Sequence, residues 1–174
     1  MLTTERLVLK SYDDNDEDRM VELLTNETIK ETYMIPDFSS REEAVSMFKK
    51  LQKYSWSDEH YEFGIYKQNE LIGFVNDVSI ESDSIEIGYV IHPDFHNNGY
   101  ASEMLTSVIE DLFQRGFSTV LAGAFETNTA SFRVMEKCGM KRIEKESDIF
   151  YHNRQQHCIY YSKTAATDIQ PCGI

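Results

Sequence analysis

The residues from His96 to Ala101, with the sequence HNNGYA, have the composition of an anion-binding loop. Asn98 and Gly99 tolerate left-handed backbone conformations, and Ala101 lets a ligand approach the main chain. A loop of this kind before a helix presents unpaired N–H groups and the positive end of the helix dipole, which suits a phosphate group. No lysine follows the glycine, so the GxxxxGK[ST] phosphate loop is excluded, and GxGxxG is absent too. An ordinary tight connection between two elements explains the same residues.

The histidines and cysteines do not indicate a metal site. His92 and His96 are four residues apart, but Pro93 and the loop prevent the helical pairing that would bring two imidazoles to one ion. The three cysteines are odd in number and widely spaced, which favours reduced thiols over a disulfide framework or a zinc site. We therefore expect no metal cofactor.

A strand and a helix must position this loop. The helix after it places apolar side chains at the three- and four-residue spacing of a buried stripe, with polar side chains elsewhere. The stripe comprises Ala101, Met104, Leu105, Val108, Ile109, Leu112 and Phe113. The segment before the loop, Ile85 to Ile91, is a mostly apolar strand bounded by Ser84 and Pro93.

The rest of the chain predicts a mixed order of strands and helices. Further strands are expected at 6–12, 117–125, 140–150 and 155–163, with a hairpin inside 61–80 that turns at Gln68-Asn69. Further helices are expected around 20–24, after the capping serines Ser39 and Ser40 to about residue 54, and at 129–138 before Gly139. No repeat or linker interrupts this order, so we predict one α/β domain of the mixed α+β kind.

Length and composition set the class of protein. A chain of 174 residues suits a single domain, and 12% aromatic residues argue against disorder. The net charge of −13 repels nucleic acids and anionic membranes and attracts cationic partners, although such charge also serves solubility alone. No run approaches the ~18 apolar residues of a membrane span, and the N-terminus lacks a signal-peptide pattern, so we expect a cytoplasmic protein. Residues 164–174 show no periodicity and are predicted to form a loose tail after a domain of residues 1–163.

Four motifs together resemble a known family. The loop from His96 to Ala101 resembles the pyrophosphate loop of the GNAT superfamily of acetyl-CoA-dependent N-acetyltransferases, whose pattern is Gln/Arg-x-x-Gly-x-Gly/Ala. The segments 3–10, 86–105 and 128–142, with the closing "YYSK" at 160–163, look like the branch that acetylates the N-termini of ribosomal proteins, the Rim type. The resemblance implies a single GNAT-like domain with a central mixed, mostly antiparallel twisted sheet of about seven strands flanked by about four helices.

The resemblance also implies a binding site for acetyl-CoA, the expected cosubstrate. Asn128 corresponds to a residue that binds the pantetheine amides, with a plain helix N-cap as its alternative. Backbone N–H groups of Val90 or Ile91 would bind the developing oxyanion if their strand splays from its neighbour. The loop contributes the remaining expected cofactor-binding residues, which are His96, Asn97, Asn98, Gly99, Tyr100, Ala101 and Ser102.

Two catalytic residues follow from the resemblance. Glu86 corresponds to a glutamate proposed as the base in Rim-type relatives, and an apolar strand would make its carboxylate a stronger base. Its alternative is an ordinary polar residue on the open face of the strand. Ser131, in "NTAS", resembles the serine that contacts the CoA sulfur and could relay a proton to the thiolate, with a simple helix-start serine as its alternative.

The chain departs from the family pattern at several positions, among them Met140, where Phe is commoner. His96 replaces the usual Gln or Arg, which leaves only the backbone of the loop for the phosphates. Met135 stands where many GNAT enzymes carry a tyrosine thought to protonate the leaving thiolate. The Rim branch usually has an aliphatic residue at this position as well, so another group must protonate the thiolate. His157 stands where that branch often has an acidic residue near the acceptor pocket, which leaves the acceptor undefined.

The predicted reaction is acetyl transfer from acetyl-CoA to a primary amine, by direct attack in a ternary complex. A protein N-terminal α-amine, with a pKa of about 7.7–8.0, is an easier acceptor than lysine, with a pKa of about 10.4. A polyamine, an amino acid analogue or an antibiotic is the alternative acceptor. A non-catalytic acyl-CoA-binding regulatory module is an alternative of a different class. We expect a monomer or homodimer.

Overall fold

The computed structural model describes residues 1–166. Its strands are β1 (Leu2–Thr3), β2 (Val8–Lys10), β3 (Glu62–Lys67), β4 (Glu70–Glu81), β5 (Ser84–Ile91), β6 (Thr119–Phe125), β7 (Lys141–Tyr151) and β8 (Arg154–Thr164). They form one eight-stranded sheet in the order β1-β2-β3-β4-β5-β6-β8-β7. The β5–β6 pair is parallel, and the other pairs are antiparallel. The predicted mixed, mostly antiparallel sheet is confirmed.

Helices cover both faces of the sheet. They are α1 (Glu17–Thr25), α2 (Glu27–Lys30), α3 (Arg41–Ser55), α4 (Tyr100–Gln114) and α5 (Thr129–Lys137). The apolar sides of α4 and α5 pack on one face against Ile85 and Ile87 of β5. On the other face, α1 to α3 pack against Phe74 and Val90. Because strand side chains alternate in direction, β5 contributes to both cores.

Helix α4 follows the apolar spacing in the sequence. The five central residues of the predicted stripe, Met104 to Leu112, are fully buried, and Ala101 and Phe113 at its ends are half-buried against the same core. The helix begins after Gly99, whose φ of 80° lies in the left-handed region. A glycine meets that requirement without strain, as the sequence predicts.

The β5–β6 pair separates part-way along its length. Only three residue pairs join the two strands, the last being Glu86 with Leu121. Beyond it β5 stays paired with β4 as far as Ile91, while β6 stays paired with β8 as far as Phe125. A gap therefore opens within the sheet from Ile87 onward, which meets the condition set for the predicted oxyanion donors.

The structure adds elements to the prediction. The described residues form eight strands and five α-helices, compared with the predicted seven or so strands and four or so helices. The additions are β1, with two residues, and α2, with four, both too short to show periodicity in sequence. Strand β8 extends to Thr164, one residue beyond the predicted domain boundary. The remainder of the predicted tail, from residue 167, lies outside the described residues.

Candidate active site

A cavity of about 610 Å³ occupies the gap between β5 and β6. Its walls are residues 87–91 of β5, Gly123 and Ala124 of β6, the loop before α4, and one side of α5. Thr28, Ile29 and residues 31–33 also line it. The volume is in the range typical of small-molecule sites.

The loop before α4 forms one end of this cavity and carries free N–H donors. Asn97 and Gly99 both have positive φ, at 60° and 80°. Within the described residues, no protein acceptor binds the N–H groups of residues 97–102, whereas the next N–H, of Glu103, bonds to the Gly99 carbonyl at 3.0 Å. Six N–H groups without a protein acceptor, at a helix N-terminus, suit a diphosphate. The geometry fits the expected pyrophosphate loop, and the role of these residues remains a prediction.

Side chains from elsewhere hold the loop in place. The His96 Nε2–H donates to the Ile91 carbonyl at 2.7 Å, so this ring anchors the loop to β5. Arg6 donates to the Asn98 carbonyl at 3.0 Å and to the Glu103 carboxylate at 2.7 Å, and its guanidinium lies 4.6 Å from the Tyr100 ring centre. Sequence reasoning missed Arg6, because 97 residues separate it from Glu103.

The Glu103 carboxyl is held in its charged form by this arrangement. Burial raises the pKa of this carboxyl, but the hydrogen bonds from Thr4 and from the Arg6 N–H and guanidinium together lower the pKa by more than burial raises it. A carboxylate in the first turn of α4 also complements the helix dipole. The Arg6–Glu103 ion pair therefore fixes the start of α4 against the N-terminal segment.

The exposed edge of β5 supplies a backbone donor to the gap. The His92 N–H donates to the Ile72 carbonyl on β4 at 2.7 Å. Successive N–H groups of a strand point to opposite sides, so the Ile91 N–H faces the gap and the Val90 N–H faces β4. Of the two predicted oxyanion donors, the register leaves Ile91 for a ligand, and Val90 contributes its surface to the lining.

Helix α5 presents two of the predicted residues to the cavity. The Asn128 Oδ1 accepts from the Ser131 N–H at 3.1 Å, so Asn128 is the N-cap of α5, and it also lines the cavity. Because the Oδ1 atom is occupied as the cap, the Nδ2 atom of the same amide can donate to a ligand carbonyl. Met135 is fully buried in the core and does not line the cavity.

Tyr89 is a site residue that sequence reasoning missed. Its hydroxyl lies 2.9 Å from the Ser131 Oγ, and both side chains line the cavity. Burial raises the pKa of the Tyr89 phenol. Its place among the alternating apolar residues of β5 indicated only a core position, so the sequence carried no signal for this contact.

Glu86 lies beside the cavity, paired with a cation. Its Oε2 is 2.9 Å from the Lys145 Nζ on β7, and the residue is not part of the lining. This hydrogen bond with Glu86 raises the pKa of Lys145. Glu86 shares a sheet face with Gly88, two residues further on, which does line the cavity. The apolar strand pattern did not predict the lysine.

A second acidic residue on the same face is buried. Glu62, Asn76 and Gly88 stand opposite one another on β3, β4 and β5. Glu62 is 3% exposed and accepts a hydrogen bond from the Tyr12 hydroxyl, and burial raises its pKa to about 8. Tyr33 lines the cavity beside Gly88. Its hydroxyl donates to the Asn76 side chain at 2.7 Å, and it is so close to Gly88 that a Cβ atom there would stand only 2.3 Å from the hydroxyl oxygen.

His157, one of the departures from the family pattern, lies outside the lining. His157 is bound to the Asp148 carboxylate at 2.8 Å, and that bond raises its pKa. In residues 1–166 no group of three or more His, Cys, Asp or Glu side chains is placed to hold a metal ion.

Comparison with known proteins identifies the family. The model of the acetyltransferase (GNAT) domain matches residues 6–141. The chain belongs to the GNAT acetyltransferase family. It is 28% identical over 158 residues to the Bacillus subtilis (strain 168) N-acetyltransferase YoaA, covering 88% of this chain and 89% of YoaA. These matches make the GNAT chain an acetyl-CoA-dependent N-acetyltransferase.

Two solved structures share the fold. RimL, a ribosomal L7/L12 α-N-protein acetyltransferase in complex with coenzyme A, superposes with a TM-score of 0.82 at 18% identity, covering 95% of this chain and 97% of RimL. The spermidine N-acetyltransferase of Vibrio cholerae, in complex with CoA and spermine, superposes with a TM-score of 0.78 at 19% identity, covering 91% and 95%. No helix within residues 1–166 of this GNAT chain has the length and apolar character to cross a bilayer.

Proposed function

We propose that the acceptor is the α-amino group of a protein N-terminus, and that it attacks the acetyl thioester directly in a ternary complex. The observation that carries this proposal is the scarcity of carboxylates that line the cavity. Among the lining residues described, Glu31 is the one carboxylate, and it is exposed. Deprotonation at pH 7 costs roughly 1 kcal/mol for an α-amine and about 4.6 kcal/mol for a lysine amine. The α-amine is therefore the acceptor that a site with few carboxylates can use more readily.

The cavity supports a role for each binding residue. The N–H groups of residues 97–102 would bind the pyrophosphate of acetyl-CoA, with the His96 ring anchoring the loop. The Asn128 amide would bind the pantetheine arm, which directs the thioester toward Ser131 and the Ile91 N–H. The Ile91 N–H would then stabilise the oxyanion of the tetrahedral intermediate, and the Ser131 hydroxyl would stabilise the departing thiolate.

Glu86 is proposed as the base, acting through water. Its carboxylate is outside the lining, but the residue shares a sheet face with Gly88, and two residues of strand separate their Cα atoms by about 7 Å. One bridging water spans about 5–6 Å between two heavy atoms, so the Glu86 side chain would extend toward Gly88 to act on the amine. Lys145 opposes this role, because it competes with the acceptor ammonium for the same carboxylate.

A small cationic amine is the second candidate acceptor. The net charge of −13 attracts polyamines as well as basic proteins, and the Vibrio cholerae spermidine N-acetyltransferase has the same fold. The Rim-type assignment rests on the four sequence motifs and favours the N-terminal acceptor. We also propose a cytoplasmic location, supported by the free thiols of Cys138 and Cys158, and a monomer or homodimer.

Release of CoA thiol from acetyl-CoA tests the proposal. The purified protein is screened against peptides that differ only at the N-terminus, against the same peptides with a blocked N-terminus and a free lysine, and against spermidine and spermine. We expect release that depends on a free α-amine. Release with polyamines alone would establish the second candidate, and binding of acetyl-CoA without transfer to any amine would indicate a regulatory module.

A further inference from the structure

The contact between Tyr89 and Ser131 has a direction set by acidity. A phenol has a pKa of about 10, and an alkyl hydroxyl is a much weaker acid, so the Tyr89 O–H donates and the Ser131 Oγ accepts across the 2.9 Å contact. Burial keeps the Tyr89 phenol protonated by raising its pKa. Ser131 thus receives one hydrogen bond from a donor that does not ionise.

The proton of Ser131 remains unused by the protein. Serine in a helix often donates to a backbone carbonyl one turn earlier, but no acceptor for the Ser131 hydroxyl, backbone or side chain, is present among residues 1–166 apart from Tyr89. Ser131 lines the cavity. With Tyr89 occupying one lone pair, the O–H of Ser131 is left to point toward a ligand.

We propose that Tyr89 is a positioning residue for acetyl transfer, which orients the Ser131 hydroxyl so that it donates to the sulfur of the departing CoA thiolate. This inference rests on the function proposed above. Tyr89 on strand β5 is the partner of Ser131 on helix α5. Met135, at the position where many GNAT enzymes carry a tyrosine, is buried in the core and does not contact the ligand site.

The bonding changes need no further reactant. The C–N bond to the amine forms, the C–S bond breaks, and the electron pair stays on sulfur, where the Ser131 O–H stabilises it. A thiol with a pKa of about 8.5 leaves as the thiolate near neutral pH. The amine nitrogen loses its proton to water or to the proposed base, the thiolate takes a proton from water, and Tyr89 keeps its own proton throughout.

A double-mutant cycle tests whether Tyr89 acts through Ser131. The variants are Tyr89→Phe, Ser131→Ala and the double variant, compared by kcat with acetyl-CoA and one accepted amine. We expect a loss of about 10- to 100-fold for Ser131→Ala, which removes a hydrogen bond to a charged atom, and about fivefold for Tyr89→Phe. The double variant should be no slower than Ser131→Ala. Equal fivefold losses in both backgrounds would overturn the proposal.

Ionisation of bound CoA gives a readout that a purely structural role would not move. Thiolate absorbance of the CoA complex is titrated with pH, with desulfo-CoA, which lacks the thiol, as the reference. Tyr89→Phe should raise the apparent pKa of the bound thiol while CoA affinity stays within about twofold. An unchanged thiol pKa would overturn the proposal.

Tyr61→Phe is the matched control. Tyr61 is buried in the same core, and its hydroxyl bonds to Asp111 at 3.0 Å, outside the cavity. This variant should keep both kcat and the thiol pKa. A wild-type protein that neither binds CoA nor transfers acetyl would instead refute the proposed function, whereas full activity in Tyr89→Phe refutes this inference alone.

Discussion

At the scale of single residues, two carboxyl groups on one sheet face have opposite surroundings. Glu86 is paired with the Lys145 ammonium, whereas Glu62 is enclosed and accepts from the Tyr12 phenol. Motif resemblance pointed to Glu86, because it lies within a matched segment. Nothing in the sequence pointed to Glu62, because its hydrogen-bond partner Tyr12 lies 50 residues away in the chain. Tyr89 and Arg6 were missed for the same reason: their roles are defined by partners distant in the chain.

Substitution of Glu86 by glutamine tests its role as the base. We expect CoA affinity to be unchanged and kcat to fall by the ~10²–10⁴ typical of lost general acid–base catalysis. The pH–rate profile of the wild type should have an acidic limb, in which kcat falls as pH falls, and the profile of Glu86→Gln should lack it. Measuring both proteins with two amines of different pKa separates this limb from deprotonation of the amine, which would survive in the variant.

The control for this substitution is Glu81→Gln, at the exposed end of β4, which should leave kcat unaltered. A Glu86→Gln protein with nearly full kcat would show that Glu86 only pairs with Lys145. The enzyme would then work by holding an already neutral amine against the thioester.

Glu62 should make the stability of the protein depend on pH. Burial raises the pKa of the Glu62 carboxyl from its ordinary value of 4.5 to about 8, so the folded state holds a proton that the unfolded state releases. The contribution is fully present below about pH 4.5 and is lost as pH rises through 8, by up to about 1.4 kcal/mol per pH unit. Glu62→Gln should flatten this dependence between pH 5 and 8 in urea titrations.

Glu59→Gln is the matched change at an exposed glutamate nearby in sequence, and it should leave the pH dependence of the unfolding free energy as in the wild type. An equally steep pH dependence in Glu62→Gln would mean that Glu62 is ionised in the folded protein.

At the scale of elements, the sequence predicted the longer helices and strands and the turns, which depend on residues close together in the chain. The stripe of α4, the strand from Ser84 to Ile91 and the turn at Gln68 and Asn69, whose φ values are 49° and 72°, all appear as expected. The insertion of β8 between β6 and β7 was not predicted. Strand order is decided by pairing between distant segments, and neither propensity nor alternation encodes it.

The loop before α4 is tested by Gly99→Val. A β-branched residue cannot readily adopt a φ of 80°, although a Cβ there would meet only Arg6, at 3.5 Å. The strain should therefore distort the loop and displace its N–H groups, and calorimetry should show CoA binding weakened by at least about 100-fold. Circular dichroism should show the helices intact.

Gly116→Val provides a closely matched comparison. Gly116 has a φ of 98°, follows the other end of α4, and has open space where a Cβ would stand. It should show a similar loss of stability with unchanged CoA affinity. Similar affinity losses in both variants would show that the effect of Gly99→Val comes from α4 as a whole.

At the scale of the whole molecule, the cavity should couple ligand binding to stability. A ligand that binds only the folded state at 100 times its Kd adds about 2.7 kcal/mol, which corresponds to a rise in Tm of roughly 5–10 °C for a chain of this size. Acetyl-CoA and CoA should produce this shift in thermal unfolding, and ATP and NAD at equal concentration should not. A comparable shift with ATP would indicate a general phosphate site.

The interior place of β8 also has a consequence for the order in which the protein folds. Strands β1 to β6 pair with their neighbours in sequence, but the second partner of β6 and the partner of β7 are both residues 154–164. During synthesis, β6 therefore presents an open edge, and β7 has no partner, until that last strand has left the ribosome. Because β8 completes the described sheet, this sheet cannot fold as one cooperative unit before residue 164 has emerged from the ribosome. Until then the unpaired β6 edge is open to pairing with strands of other chains.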